Sequence, residues 1–212
     1  MSNSRLKFPQ PSKNIFITAI MLFLTACTTP LPQQPVVEQL LQDKNERAAQ
    51  LAQLTSWTIK GKIAFIEGDD KQSANLYWQQ DNNTLQLKLT SFLGVNVLTL
   101  SSANEQHVLT ANGKTYTDDN LEDLLNQVSA IRLPVKALSY WLKGLKAQTE
   151  DVVLYSQTTQ LPETLNAWVN HTYWHIDYQQ YNLVNNYRLA NKISIKHRDL
   201  TIKIAIHHWD ID

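Results

Sequence analysis

Hydrophobic and polar residues alternate with a period of two along most of residues 57–116, which predicts successive half-buried β-strands. One face of the first strand carries Trp57, Ile59, Gly61, Ile63 and Phe65. The alternation returns in four later segments: 74–79, 85–89, 95–100 and 108–116. The last segment turns at Asn112-Gly113, and because Asn-Gly is the strongest short hairpin signal, we predict an antiparallel meander.

After this meander the apolar residues recur at intervals of three or four, which predicts two short helices. The first covers residues 118–128, with Asp118 or Asp119 as its N-cap. Pro134 suits the first turn of the second helix, and Gly144 is well placed to end it.

Alternation resumes in four segments near the C-terminus: 167–169, 174–178, 192–196 and 200–209. A further helix is predicted to begin at Glu38, before the first strand, with Glu46 and Arg47 as solvated positions. Strands, two helices and more strands in this order predict a mainly β fold with helices. We expect a strongly curved antiparallel sheet, or incomplete β-barrel, with helices plugging one side.

The N-terminal segment has the parts of a secretory signal peptide. Arg5, Lys7 and Lys13 precede an apolar run of about ten residues at 15–24, which is too short to span a bilayer as a permanent helix. Leu24-Thr25-Ala26-Cys27 follows and resembles the lipobox of bacterial lipoproteins. The resemblance implies cleavage before Cys27 and its modification with N-acyl and S-diacylglycerol groups. The alternative is an ordinary signal peptide with an incidental cysteine nearby.

The predicted cleavage site and lipobox divide the chain into three parts. Residues 1–26 are the signal peptide, 27–37 are the lipidated cysteine with an extended tether, and 38–212 are a single folded domain. The tether is predicted because residues 27–37 contain three prolines and no charged side chain.

Amino-acid composition excludes several classes of function for the mature protein. The chain has 19 basic and 19 acidic residues, and loss of three cations with the signal leaves a net charge of about −3, so we expect no nucleic-acid partner. Cys27 is the only cysteine, so its acylation leaves no thiol for disulfides, zinc–thiolate sites or catalysis. The five glycines are isolated from one another, which excludes glycine-rich nucleotide loops and the Gly-x-Ser-x-Gly elbow.

The connection Thr90-Ser91-Phe92-Leu93-Gly94 is apolar at its tip, although strand connections normally run over the surface and are polar. Gly94 permits a turn after Phe92 and Leu93. The loop either folds back and buries both side chains, or forms an exposed apolar finger that enters a membrane or contacts an apolar ligand.

An ordered set of motifs over nearly the whole chain resembles the LolA/LolB family of lipoprotein carriers and receptors. Besides the lipobox and the 89–94 loop, the motifs are Trp57 with Gly61-Lys62-Ile63-Ala64, Leu76-Tyr77-Trp78-Gln79-Gln80, Leu133-Pro134-Val135 with Leu138, Trp141, Leu142 and Gly144, and Ile202 to Trp209. Phe92 stands where the family often has proline, which leaves the rigidity of the loop open.

The resemblance implies a hydrophobic cavity for acyl chains on the concave face of the sheet, under a helical lid. It also implies that Leu93 inserts into the membrane, with Phe92 and Gly94 in the same loop. The candidate cavity residues are Trp57, Ile63, Phe65, Leu76, Trp78, Leu87, Leu89, Leu138 and Trp141. An ordinary core position is the alternative for each of them.

The function implied is that of a monomeric, non-enzymatic receptor that takes acylated lipoproteins from the periplasmic carrier LolA and inserts them into outer-membrane lipid. Thr28 and Thr29 follow Cys27, where aspartate typically retains lipoproteins in the inner membrane of enteric bacteria. The resemblance therefore places the protein on the periplasmic face of the outer membrane, held by its lipid. No cofactor is expected beyond the acyl groups.

Two other classes of protein stay open. A structural lipoprotein that scaffolds an envelope assembly through protein contacts would share the lipobox and the sheet but would need no cavity. An envelope enzyme is less expected, because His207 and His208 are adjacent in a predicted strand and point to opposite faces. His171 and His175 are too far apart in extended chain to chelate a metal easily, so no metal site is expected.

Overall fold

The computed structural model describes residues 44–128 and 133–211. The predicted signal peptide, the lipobox at Cys27, the tether and the predicted helix start at Glu38 lie outside the described residues. Within the part described, no helix is both long enough and apolar enough to cross a bilayer.

The described residues form three helices and eleven strands. The helices are α1 (Lys44–Ala52), α2 (Leu121–Val128) and α3 (Val135–Trp141). The strands before α2 are β1 (Ser56–Glu67), β2 (Asp70–Asp81), β3 (Thr84–Thr90), β4 (Asn96–Ala103), β5 (Gln106–Ala111) and β6 (Lys114–Asp118). The strands after α3 are β7 (Val152–Tyr155), β8 (Pro162–Val169), β9 (Thr172–Val184), β10 (Tyr187–His197) and β11 (Leu200–Ile211).

All eleven strands belong to one antiparallel sheet in the order β6-β5-β4-β3-β2-β1-β11-β10-β9-β8-β7. Two meanders, β1–β6 and β7–β11, join where β1 pairs with β11. The edge strands β6 and β7 do not pair with each other in the described sheet, so it does not close into a barrel. The prediction of a mainly β fold with an incomplete barrel and accompanying helices is confirmed.

The seam between the two meanders contains a β-bulge. The register of β1 against β11 shifts between Lys60 and Gly61, and the pairing skips His207. The extra residue leaves His207 and His208 both exposed and returns Trp209 to the buried face, where it is 5 % exposed. Strict alternation from Ile206 onward would have turned Trp209 outward.

Two local predictions are wrong. Arg47, predicted to be solvated, is 2 % exposed because its guanidinium finds backbone carbonyl partners inside the fold. The N-cap of α2 is Asn120, neither Asp118 nor Asp119, because its Oδ1 accepts a hydrogen bond from the backbone N–H of Glu122 at 2.9 Å.

Candidate functional site

An apolar cavity of about 390 Å³ lies against the concave face of the sheet. Its volume is within the range of ordinary small-ligand pockets. The strands supply its apolar wall, formed by Ile63, Phe65, Leu76, Trp78, Leu87, Leu89, Leu98, Ala111, Leu200, Ile202 and Ile204. Leu125 of α2, Val135 and Leu138 of α3, and Leu133 just before α3 complete the lining, so the helices form the lid.

Seven of the nine predicted cavity residues line this space, and Trp57 and Trp141 do not. Trp57 packs between Trp78 and Trp209, with ring centroids 5.9 and 5.7 Å away. Trp141 packs against Trp174 at 6.0 Å. Both residues are buried on the expected side of their elements, but other tryptophans fill the space in front of them. The alternative of an ordinary core position therefore describes these two residues.

The cavity opens at one end of the sheet. Its exposed lining residues are Glu67, Asp70, Gln72, Val97 and Asn112. Glu67 and Asp70 face each other across the β1–β2 hairpin, and Asn112 begins the β5–β6 turn. Since neighbouring strands run antiparallel, these turns and the β3–β4 connection lie at the same end. The apolar cavity thus has a partly acidic mouth.

The β3–β4 connection, here called the finger (residues 91–95), presents its apolar tip to solvent. The side chains of Phe92 and Leu93 are 89 % and 78 % exposed, which excludes the alternative in which the loop buries them. Val95 and Val97 continue the exposed apolar surface along the chain, and Val97 also lines the cavity mouth. An apolar surface therefore extends from the finger tip to the mouth.

Hydrogen bonds around Ser91 hold the finger in shape. The backbone N–H of Ser91 donates to the Val95 carbonyl at 2.8 Å, and the Val95 N–H donates to Ser91 Oγ at 3.2 Å. The Ser91 carbonyl accepts from the Gly94 N–H at 2.9 Å and from Asn75 Nδ2 at 3.1 Å. Gly94 has φ +82°, which favours glycine. The hydrophobic pattern does not predict the roles of Asn75 and the Ser91 hydroxyl, although serine before a tight turn is a known signal.

Two buried cations fix the segment that follows the lid helix α3. Arg47 Nη2 donates to the carbonyl oxygens of Lys143 at 2.9 Å and Arg188 at 3.0 Å. Lys143 Nζ donates to the carbonyls of Leu51 at 3.2 Å and Leu54 at 2.9 Å. These bonds tie α1, the end of α3 and β10 together. Neither cation has a carboxylate partner among the described residues, and burial lowers the pKa of both, that of Lys143 to about 8.

The lowered pKa of Lys143 makes the stability of the fold depend on pH. Below about pH 8 the amine is protonated in both folded and unfolded chains, and the full cost of burying the charge is present. Between about pH 8 and the ordinary pKa of 10.5 the folded protein loses this proton first, so its free energy of unfolding rises with pH. Relative to the variant Lys143→Met, we expect a rise on the order of 2 kcal/mol.

Urea unfolding of both proteins at about pH 7 and pH 10 measures this difference. Because the Met variant keeps every other titratable group, the difference in stability between the two proteins reports the titration of Lys143 alone. A stability difference between the two proteins that is independent of pH would contradict the assignment.

Side chains that bind metals do not come together in the part of the chain that the structure describes. Within residues 44–128 and 133–211, no group of three His, Cys, Asp or Glu side chains could hold an ion. His107 is buried beside Ser102, whose hydroxyl is within hydrogen-bonding distance of Nδ1. The charged and amide side chains that line the cavity are those at its mouth: Glu67, Asp70, Gln72 and Asn112.

The sequence of this chain is similar to that of a known protein family. The model of the family described as "Outer membrane lipoprotein LolB" matches residues 55–209. The outer-membrane lipoprotein LolB of Psychromonas ingrahamii is 34 % identical over 161 residues, which cover 76 % of this chain and 78 % of the relative. LolB of Aeromonas salmonicida is 31 % identical over 198 residues, covering 93 % of this chain and 96 % of the relative.

Solved structures share the fold at much lower sequence identity. The LolA superfamily protein NE2245 from Nitrosomonas europaea superposes with a TM-score of 0.52 at 6 % identity, covering 80 % of this chain and 92 % of that protein. A DUF1329 family protein from Desulfovibrio piger gives a TM-score of 0.51 at 8 % identity, covering 80 % and 90 %. At these identities the likeness concerns the fold alone.

Proposed function

Because this chain belongs to the LolB family of outer-membrane lipoproteins, we propose that it receives acylated lipoproteins from the periplasmic carrier LolA and inserts them into the outer membrane. The observation that carries the proposal is the position of the exposed Phe92-Leu93 tip at the same end of the sheet as the mouth of the apolar cavity. One part of the molecule can hold an acyl chain, and the adjacent part can enter a bilayer. No covalent step is required.

The cavity lowers the main free-energy cost of lipoprotein transfer, which is the exposure of acyl chains to water. Each acyl methylene removed from water contributes about 0.8 kcal/mol, so a lipoprotein exposed to the periplasm is strongly disfavoured. An apolar wall without charged side chains deep inside binds such chains with little specificity. The charged residues Glu67 and Asp70 stay at the mouth, where they remain hydrated.

The finger supports release at the membrane. Burial of a Phe or Leu side chain contributes about 1.5–3 kcal/mol, so insertion of the tip would hold the mouth against the bilayer. Cargo chains then move from cavity to lipid past Val95 and Val97, without crossing open water. Transfer proceeds without nucleotide if affinity for the acyl chains rises from carrier to receptor to bilayer.

The proposal includes acylation of Cys27 as the membrane anchor on the periplasmic face. Residues 28–37 would span about 30 Å if they are extended, as their three prolines predict. A tether of this reach lets the folded body present either its cavity to the carrier or its finger to the bilayer. The anchored protein works as a monomer with no bound cofactor.

A lipopeptide-binding experiment distinguishes this function from an envelope scaffold. The unacylated mature protein, with Cys27→Ala, is expected to bind a fluorescent diacylated lipopeptide. Leu87→Trp enlarges a half-buried wall residue and fills part of the cavity, displacing roughly two methylenes of ligand. We expect about tenfold weaker binding, measured by titration of the lipopeptide fluorescence.

Leu154→Trp is the matched control, because Leu154 is 55 % exposed and does not line the cavity. It should leave the affinity unchanged. Failure of the wild-type protein to bind lipopeptide would favour the scaffold, and equal affinities for both Trp variants would place the acyl site elsewhere.

A further inference from the structure

The outer face of the sheet, opposite the cavity, carries a group of lysines. The lysine face is defined here as Lys62, Lys71, Lys192, Lys196 and Lys203, which line one shallow groove across β1, β2, β10 and β11. All five side chains are exposed, whereas the alternate residues Ile63, Ile193 and Ile204 are buried. Because alternate residues of a strand point to opposite faces, these lysines project away from the cavity.

The pairing register places these lysines close to one another. Lys62 lies opposite Ala205, which in turn lies opposite Lys192, so the two lysines are two strands apart, or about 10 Å. Lys203 lies between them on β11, one alternate position along. The backbone of Lys203 is therefore about 8 Å, roughly one Debye length at physiological ionic strength, from those of Lys62 and Lys192.

Carboxylates do not balance this charge. The one acidic residue that lines the groove, Asp177, accepts from Lys196 Nζ at 2.8 Å and contacts His175 Nε2 at 3.1 Å. Lys62, Lys192 and Lys203 have no salt-bridge partner among the residues described. The carboxylates of Glu67 and Asp70 line the cavity mouth on the other face, so charge of opposite sign is divided between the two faces.

An exposed aromatic pair extends the same outer face at the finger end of the sheet. Trp168 and Tyr173 are directly paired between β8 and β9, and their ring centroids are 5.3 Å apart. They are 59 % and 42 % exposed. The β8–β9 turn follows immediately, so this pair lies at the end of the sheet that also carries the finger. Tryptophan and tyrosine with these exposures are typical of the headgroup layer of membranes.

We propose that the lysine face and the Trp168–Tyr173 pair form a second membrane contact, which binds the headgroups of anionic phospholipids. The inference rests on the proposed membrane insertion only for the direction in which the body faces the bilayer. Lysine ammonium groups on the outer face of the sheet suit mobile phosphate headgroups, because they act as point charges without a fixed partner geometry. The amphipathic aromatic pair favours a lipid surface over an acidic protein.

This contact would orient the body during delivery. The finger projects from the β3–β4 half of the sheet, whereas the aromatic pair belongs to β8 and β9, on the other side of the central strand β1. The finger and the aromatic pair lie at the same end of the sheet but on different halves, so together they restrain the tilt of the molecule on the bilayer. A single inserted loop on a flexible tether would leave this tilt free.

Vesicle flotation of the unacylated mature protein, with Cys27→Ala, tests the proposal. The vesicles contain phosphatidylethanolamine alone or together with phosphatidylglycerol. We expect tighter binding to the anionic vesicles and loss of this advantage at high salt. The triple variant Lys62→Glu, Lys192→Glu, Lys203→Glu should bind the anionic vesicles about a hundredfold more weakly. Trp168→Ala should weaken binding to both kinds of vesicle by about fivefold.

The matched control reverses three exposed lysines outside the lysine face and away from the finger: Lys44→Glu, Lys136→Glu and Lys146→Glu. Its net charge equals that of the triple variant, but it should keep nearly wild-type binding. Near-ultraviolet circular dichroism verifies that each variant is folded. Equal binding by the two triple variants would overturn the proposal. So would unchanged vesicle binding with loss of carrier binding, because the lysine face would then be a protein interface.

The two proposals fail separately. Leu93→Glu tests insertion and leaves the lysine face intact. If that variant delivers lipoproteins normally, the proposed function fails while lysine-dependent vesicle binding stands. If the lysine variants bind vesicles normally while Leu93→Glu fails to deliver, the second contact fails and the proposed function stands.

Discussion

Leu93→Glu is expected to reduce delivery of lipoproteins to vesicles by more than a hundredfold while leaving their receipt from the carrier nearly unchanged. The side chain is 78 % exposed and does not line the cavity, so its replacement disturbs neither the core nor the acyl site. Insertion of the tip, however, loses the burial of a leucine, about 2 kcal/mol, and adds the cost of placing a carboxylate in lipid, about 3 kcal/mol. A difference of about 3 kcal/mol already corresponds to more than a hundredfold.

The measurement separates the two steps. Receipt is followed as transfer of a labelled lipoprotein from the carrier to the unacylated mature protein, and delivery as its appearance in floated vesicles. Leu183→Glu is the control, because Leu183 is 67 % exposed near the end of β9 remote from the finger. An equal loss of receipt and delivery in Leu93→Glu would show that the residue serves binding of cargo or carrier instead of membrane insertion.

The finger illustrates what the sequence could and could not predict about the site. Two apolar residues at the tip of a strand connection are visible in the sequence, but their exposure depends on whether the loop folds back. The structure answers this through Ser91 and Asn75, whose hydrogen bonds hold the loop outward. The bond from Asn75 to Ser91 joins residues 16 positions apart, and period-two alternation carries no information about it.

The sequence predicts which side chains face the cavity, but it does not predict where the empty space lies. Alternation places Ile63, Leu76 and Leu87 on the concave side, and each of them lines the cavity. Trp57 lies on the same side of β1 yet packs between two other tryptophans, because space in front of a residue depends on side chains from distant strands. Periodicity determines orientation, whereas the position of a void depends on tertiary packing.

A buried charge, a short strand and a bulge account for other differences between the predicted and the observed structure. Arg47 is a charged residue of the kind expected on the solvated side of a helix. Its guanidinium is instead buried, and it donates hydrogen bonds to carbonyl oxygens of residues 96 and 141 positions away. β7 was not predicted, because its four residues, Val152–Tyr155, are too few to establish a period. The bulge that turns Trp209 inward was equally absent from the pattern, since a single inserted residue reverses the alternation after it.

Gly61→Ala is expected to remove most of the free energy of unfolding, a loss above about 4 kcal/mol. A Cβ at this position would lie 2.1 Å from the backbone oxygen of Ala205 on β11. Because that atom belongs to the backbone, no rotamer change relieves the overlap, and β1 must separate from β11. These strands form the seam between the two meanders, so the damage reaches the concave face that bounds the cavity.

Urea unfolding followed by tryptophan fluorescence measures this effect, with Gly113→Ala as the matched control. Gly113 has φ +74° and open space around its Cβ position, so its replacement is expected to cost only about 1–2 kcal/mol. The comparison separates a steric requirement at the seam from the general cost of replacing a glycine. Similar midpoints for the two variants would mean that β1 and β11 can adjust their register around the bulge, and the seam would then be more adaptable than its geometry indicates. Loss of lipopeptide binding by Gly61→Ala alone would follow directly from separation of the cavity wall, since Ile63 on β1 and Ile204 on β11 line the same space.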